Sequence, residues 1–173
     1  MTRTKHLWVL ISIICLPTGA PAQLLAGDSR FPLLNEIRWD MKADEIRSLC
    51  ESRKALLRTT DSTLIFQANF FDASTKAKVQ FDRTSQLPRM IDIGFEESTE
   101  AIRDTLINHF TKSTGKPPFM TTKEKSAIIF TIKMEVASWR SEKEMINVMT
   151  MKRGNTILAI SMLITKVTTA PKT

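Results

Sequence analysis

Two regions of this chain alternate apolar and polar residues with a period of two, which commits much of its length to half-buried β-strands. In residues 59–71, Leu64, Phe66, Ala68 and Phe70 alternate with Thr63, Ile65, Gln67 and Asn69. A turn at Asp72-Ala73-Ser74-Thr75 leads to a partner strand over 76–83, with Ala77, Val79 and Phe81 inward. Thr84-Ser85-Gln86 then turns into a third strand, 87–95, with Ile91, Ile93 and Phe95 on one side. Connections this short make an antiparallel meander. The second region starts with a long strand over 126–140, with Ile128, Phe130, Ile132, Met134 and Val136 on one side. Ser141-Glu142-Lys143 turns into a strand over 145–151, and Arg153-Gly154-Asn155 connects it to a last strand over 156–165.

Helical spacing precedes each region. Asp40 is placed to cap a helix over 41–57, with Ile46, Leu49, Cys50 and Leu57 recurring on one face. Ser98 is placed to cap a second helix running to about residue 113, with Ala101, Ile102, Leu106 and Phe110 aligned. Gly115 ends it, and Pro117-Pro118 forces an extended connection. The expected class is α+β, two helices packed on an antiparallel sheet. Its order is an approximate tandem αβββ–αβββ in halves of about 40–97 and 98–166, a likeness of architecture without evident identity between the halves.

Residues 1–22 read as an export signal. Arg3, Lys5 and His6 precede an uncharged apolar run from Leu7 to Leu16, and a small-residue tail ends in Ala20-Pro21-Ala22. The apolar run is about half of the roughly 20 residues that a membrane-spanning helix needs. Cleavage after Ala22 leaves 23–173 as a single α+β domain, periplasmic or secreted. The formal charge is +7, and losing Arg3 and Lys5 leaves 23 basic against 18 acidic residues, or +5. Basic and acidic residues alternate without long like-charge runs, as on a solvated surface. An exported basic protein meets envelope proteins and anionic lipid before nucleic acid, so nucleic acid is not an expected partner. Cys15 falls in the signal and follows Ile14 rather than the small residue that precedes a lipidation cysteine. Cys50 is then the one mature thiol, which leaves no internal disulfide and fits a small buried hydrophobe.

The residues name no catalytic constellation, metal site or cofactor. His109 is the one histidine after the signal and reads as a partly exposed helix residue beside Phe110. Asp92 and Glu96 share a strand face by period, and a polar strand end explains them. Five glycines leave little room for a phosphate loop. The last hairpin is apolar on both faces: Met145, Ile146, Val148, Met149 and Met151 oppose Ile157, Leu158, Ile160, Met162, Leu163 and Ile164. One face must meet the helices. The other is either covered by the N-terminal half or left as a contact surface, for which methionine is suited. Trp139 and Arg140 lie beside it, a pair enriched at contact centres, though Trp139 fits a core position equally well. The expected partner-binding residues are therefore Trp139, Arg140, Met145, Met149 and Met151.

The order Ile37-Arg38-Trp39-Asp40-Met41-Lys42-Ala43-Asp44-Glu45-Ile46 resembles the Trp-led opening of exported bacterial proteins related to the outer-membrane assembly lipoprotein BamE and the β-lactamase inhibitor protein. Lys78-Val79-Gln80-Phe81-Asp82 followed by 87–93 resembles their hairpin. The stretch from Asn108-His109-Phe110 to Gly115-Lys116-Pro117 resembles their helix ending in Gly-x-Pro. The resemblance implies helices against an antiparallel sheet and action by binding other proteins, without catalysis. The expected function is a non-catalytic protein-binding or adaptor module of the bacterial envelope. Its partner is an envelope or secreted protein, with an anionic lipid surface as a second class. The alternatives are an inhibitor of a secreted hydrolase and a lipid or lipopolysaccharide carrier. Protein recovered from an exporting host is expected to begin at Gln23 by N-terminal sequencing, and retention of Met1 would refute the export reading.

Overall fold

Antiparallel pairing follows the alternation, and it extends further than the sequence suggests. The structure is a computed structural model describing residues 28–71, 73–127 and 130–167. The expected export signal lies outside the described residues. Two helices, α1 (Ala43–Ser52) and α2 (Glu100–Thr114), lie on an open antiparallel sheet. Its strands are β1 (Leu56–Thr60), β2 (Thr63–Phe70), β3 (Ala73–Phe81), β4 (Pro88–Phe95), β5 (Phe119–Ala127), β6 (Phe130–Arg140), β7 (Glu144–Arg153) and β8 (Thr156–Lys166). Their spatial order is β1-β2-β3-β4-β8-β7-β6-β5, so the two runs of strands meet along β4 and β8.

Four strands follow each helix where three were expected. The expected strand over 59–71 is a hairpin in which Thr60 pairs with Thr63. The chain reaches β1 early because α1 stops at Ser52 and Lys54 turns it with a φ of 53°. Ala55 then bonds into the sheet, its carbonyl accepting from Gln67 N–H at 2.8 Å. In the second half, residues 119–127 form β5 rather than part of an extended connection, and the strand expected over 126–140 begins as β6 at Phe130. Both missed strands are sheet edges. Edge strands lack a full apolar alternation, and Lys123, Glu124 and Lys125 on β5 are the charged type that blocks further pairing.

The caps also differ. Asp40 is drawn into an ion pair with Arg38 at 2.9 Å, and Glu45 accepts the backbone N–H of Lys42 at the start of α1. Thr99 caps α2, its hydroxyl accepting from Ile102 N–H, while Ser98 accepts the backbone N–H of Ile160 on β8 at 2.9 Å. Gly115 closes α2 as expected, at a φ of 67° that residues with a Cβ rarely adopt.

Register puts one apolar row after another onto the helix side of the sheet. Leu64 faces Val79, Val79 faces Ile91, Ile91 faces Ile164, and Ile164 faces Ile146. Phe66, Ala77, Ile93, Met162, Val148 and Ala137 form a second row, and all of these residues are buried. Helix α1 packs on β1 and β2, and α2 on β6 and β7. The segment before α1 bridges the halves. Phe31 meets Phe70 of β2 with ring centres 4.5 Å apart and Phe110 of α2 at 6.1 Å. Trp39 donates its indole N–H to the buried Glu144 of β7. Cys50 is fully buried, as expected, with its thiol pKa pushed up to about 12 by burial and by neighbouring Glu51.

Truncating Ile93 at the middle of this core should cost about 2–5 kcal/mol. Asp92→Ala, on the opposite face against Lys78, should stay within about 0.5 kcal/mol. Urea unfolding of Ile93→Ala and Asp92→Ala measures both, and equal losses would refute the assignment of the two faces.

Candidate functional site

Because side chains alternate across a strand, burying Ile146, Val148 and Thr150 of β7 against the helices turns Met145, Met149 and Met151 to the other face. Register adds Met134, Val136, Ser138 and Arg140 of β6, opposite Met151, Met149, Asn147 and Met145 respectively. Leu163 of β8, opposite Asn147, extends the patch toward β4. None of these side chains is fully buried, and the described helices pack on the other face. Toward β2 and β3 the same outer face is polar, carrying Gln67, Lys76, Lys78 and Gln80. An apolar half with methionine at its centre therefore lies beside a polar half. Lys123 and Lys125 of β5, Arg140 and Arg153 rim the apolar half, with the Arg153 guanidinium 5.0 Å from the Phe130 ring centre. Among the described residues, no acidic side chain occupies the outer face of β5 to β8.

Four of the five expected contact residues, Arg140, Met145, Met149 and Met151, thus stand together. Trp139 does not join them. It is 3% exposed on the helix side, its ring 5.5 Å from that of Phe110. The core reading of Trp139 is the one its packing follows, since a residue next to the outward Arg140 must face inward.

At the end of the sheet, where β6 finishes and β7 begins, a cleft of about 420 Å³ opens between the strands and the chain leaving α2. Trp139, Met145, Phe119 and Pro117 supply apolar wall, and Lys116 and Arg140 supply charge. Lys116 and Phe119 flank Pro117-Pro118, whose local pattern signals only an extended connection after the helix. The one local sign of an apolar wall is the Phe119-Met120 pair directly after Pro117-Pro118.

The groups considered for acid–base chemistry are otherwise engaged. Glu96 pairs with Lys76 at 3.0 Å, and Asp92 faces Lys78 across the β3–β4 ladder. His109 is not the partly exposed residue expected but is 5% exposed. The chain at Asp28 to Phe31 returns over α2, which covers the imidazole. Its Nε2 lies 2.9 Å from Asp28 Oδ2, a contact that becomes an ion pair only when the imidazole is protonated. Asp28 is held in turn by Arg30 Nε at 2.8 Å and Arg30 N–H at 3.1 Å. Burial opposes the charge on Asp28, but these bonds and the neighbouring cations outweigh it and keep its pKa below the usual carboxylate value. The rings of Phe110, Phe31 and Phe71 lie 4.7, 5.8 and 6.2 Å from the imidazole. Burial lowers the His109 pKa against the opposing pull of Asp28.

A second ion cluster lies between α2 and the sheet. Glu135 receives Lys133 Nζ at 2.9 Å and Lys152 Nζ at 3.2 Å, with Arg103 Nη1 at 3.9 Å. The Lys133 hydrogen bond lowers the Glu135 pKa, and the same bond raises that of Lys133. A carboxylate surrounded by three cations is a poor proton acceptor at neutral pH, so the cluster reads as a structural tie. Among the described residues, no group of three or more His, Cys, Asp or Glu is placed to hold a metal ion. No described helix is long and apolar enough to cross a membrane. No protein-family model, curated protein or solved structure matches this chain.

The native His109 pKa lies below the ordinary 6.5, so the unfolded chain takes up this proton first as pH falls. The stability it contributes is full above 6.5, declines below it and is gone beneath the native value. Urea midpoints of the native protein should therefore fall between about pH 7.5 and about pH 5.5, and less so in His109→Gln. The same slope in both proteins would exclude His109 as its source.

Proposed function

We propose that this chain is an exported, non-catalytic binding or adaptor module that holds a partner protein on the face of β5 to β8 opposite the described helices. The gathering of Arg140, Met145, Met149 and Met151 with Val136 and Leu163 on that face carries the proposal. Methionine side chains are unbranched and polarizable, so they adapt to a partner's relief. The rim of Lys123, Lys125, Arg140 and Arg153 favours an envelope or secreted protein whose apolar patch is bordered by acids. An anionic lipid surface is the competing occupant.

Two sequence features support the same proposal. Residues 1–22 carry the pattern of an export signal, and Trp39 to Ile46 resembles the opening of the BamE and β-lactamase inhibitor protein group, whose members bind proteins. The repeated order of a helix followed by four strands supports an approximate tandem arrangement of the two halves.

Met149 sits at the middle of the patch, and Met149→Lys would place an unpaired charge there. Immobilised native protein should retain an acidic exported protein that is lost from Met149→Lys and by raising the salt. Lys78→Ala, on the polar half of the same face, should retain it. Equal retention by all three proteins, or sedimentation of the native protein with anionic vesicles in place of protein capture, would overturn the proposal.

A further inference from the structure

The cleft at the end of the sheet has features that the broad outer face lacks. Gly115 and the stiff Pro117-Pro118 pair carry the chain from α2 around the sheet end, with the Thr114 hydroxyl bonded to the Phe110 carbonyl at 2.7 Å. Lys116 is thereby set on the same cleft as Arg140 of β6. Among the described residues neither cation has a carboxylate within ion-pair distance, so both charges are free to meet a ligand. Among the described residues no acidic side chain lines the cleft. Phe119 is left 71% exposed at its wall. Trp139, also part of the wall, carries a buried Nε1–H that has no acceptor among the described residues.

We infer that this cleft binds a small amphiphilic anion, an aliphatic carboxylate whose head meets Lys116 and Arg140 and whose chain lies on Trp139, Phe119 and Met145. A volume of about 420 Å³ lies within the range of small-molecule sites and accommodates a medium-length chain. Two unpaired cations select the charge sign, and the apolar wall selects against free inorganic anions. This goes beyond the adaptor proposal and does not depend on it, because no protein partner is involved.

Calorimetric titration of the purified protein with decanoate, decanol, decylamine and acetate, each below micelle formation, tests the inference. Decanoate should bind saturably at one site, and the other three at least about tenfold more weakly. The Trp139 indole N–H resonance, identified by its absence from Trp139→Phe, should shift with decanoate. Lys116→Gln combined with Arg140→Gln, both at exposed positions, should weaken decanoate about tenfold or more while the far-ultraviolet spectrum and melting midpoint are kept. Decanol binding as tightly as decanoate, unaltered affinity in the double variant, or no saturable decanoate binding would each overturn it.

Discussion

The pairing of β4 with β8 is the constraint on which the rest of the structure depends. Ile91 faces Ile164 and Ile93 faces Met162 across it, joining two four-stranded runs into one sheet. Without that ladder each run would end in an apolar open edge, the kind of strand that associates with other chains. With it, the open edges are β1, which is five residues long and irregular in register, and β5, which carries Lys123, Glu124 and Lys125. The pairing also closes a long loop of chain, and Ser98 ties its beginning to Ile160 of β8. Loop-closure entropy opposes contacts so distant in sequence, and the continuous buried row from Leu64 to Ile146 offsets it.

A single sheet with helices on one side leaves its other side to water or to a partner. The N-terminal segment seals the inner side where the helices leave space, with Phe31 between β2 and α2 and Trp39 on Glu144. The outer side is divided. Over β2 and β3 it is polar, as expected of a solvated sheet, whereas over β6 and β7 it is apolar with a basic rim. Water contact over methionine and valine carries a free-energy cost that core packing does not require, and this asymmetry is why the functional proposal rests on one half of the sheet.

Legibility followed burial. Central strands β2, β3, β4, β7 and β8 were visible because a strand with one face in the core must alternate. Edge strands β1 and β5 are hidden because Leu57 falls on the expected helix face while Thr59 and Thr60 merge into the alternation of β2, and because Met120 to Lys125 is mostly polar. The shared outer face of Arg140, Met145, Met149 and Met151 is legible from period alone, whereas the inward position of Trp139 depends on its packing against Phe110 of α2. The burial of His109 is not legible in its local pattern, which is silent on distant chain. Asp28 and Phe31, some eighty residues earlier, are what cover it.

By itself the sequence determined where the chain alternates, where glycine ends a helix, which side chains share a strand face, and that Cys50 is apolar in character. These follow from backbone geometry and from the immediate neighbours of each residue. Tertiary structure decided which strands meet, that β4 rather than an edge takes β8, that both described helices lie on one face of the sheet, and that Lys116, Phe119, Trp139 and Arg140 share a cleft. Those choices depend on which distant surfaces bury the most apolar area together, a comparison over the whole chain that no local period contains.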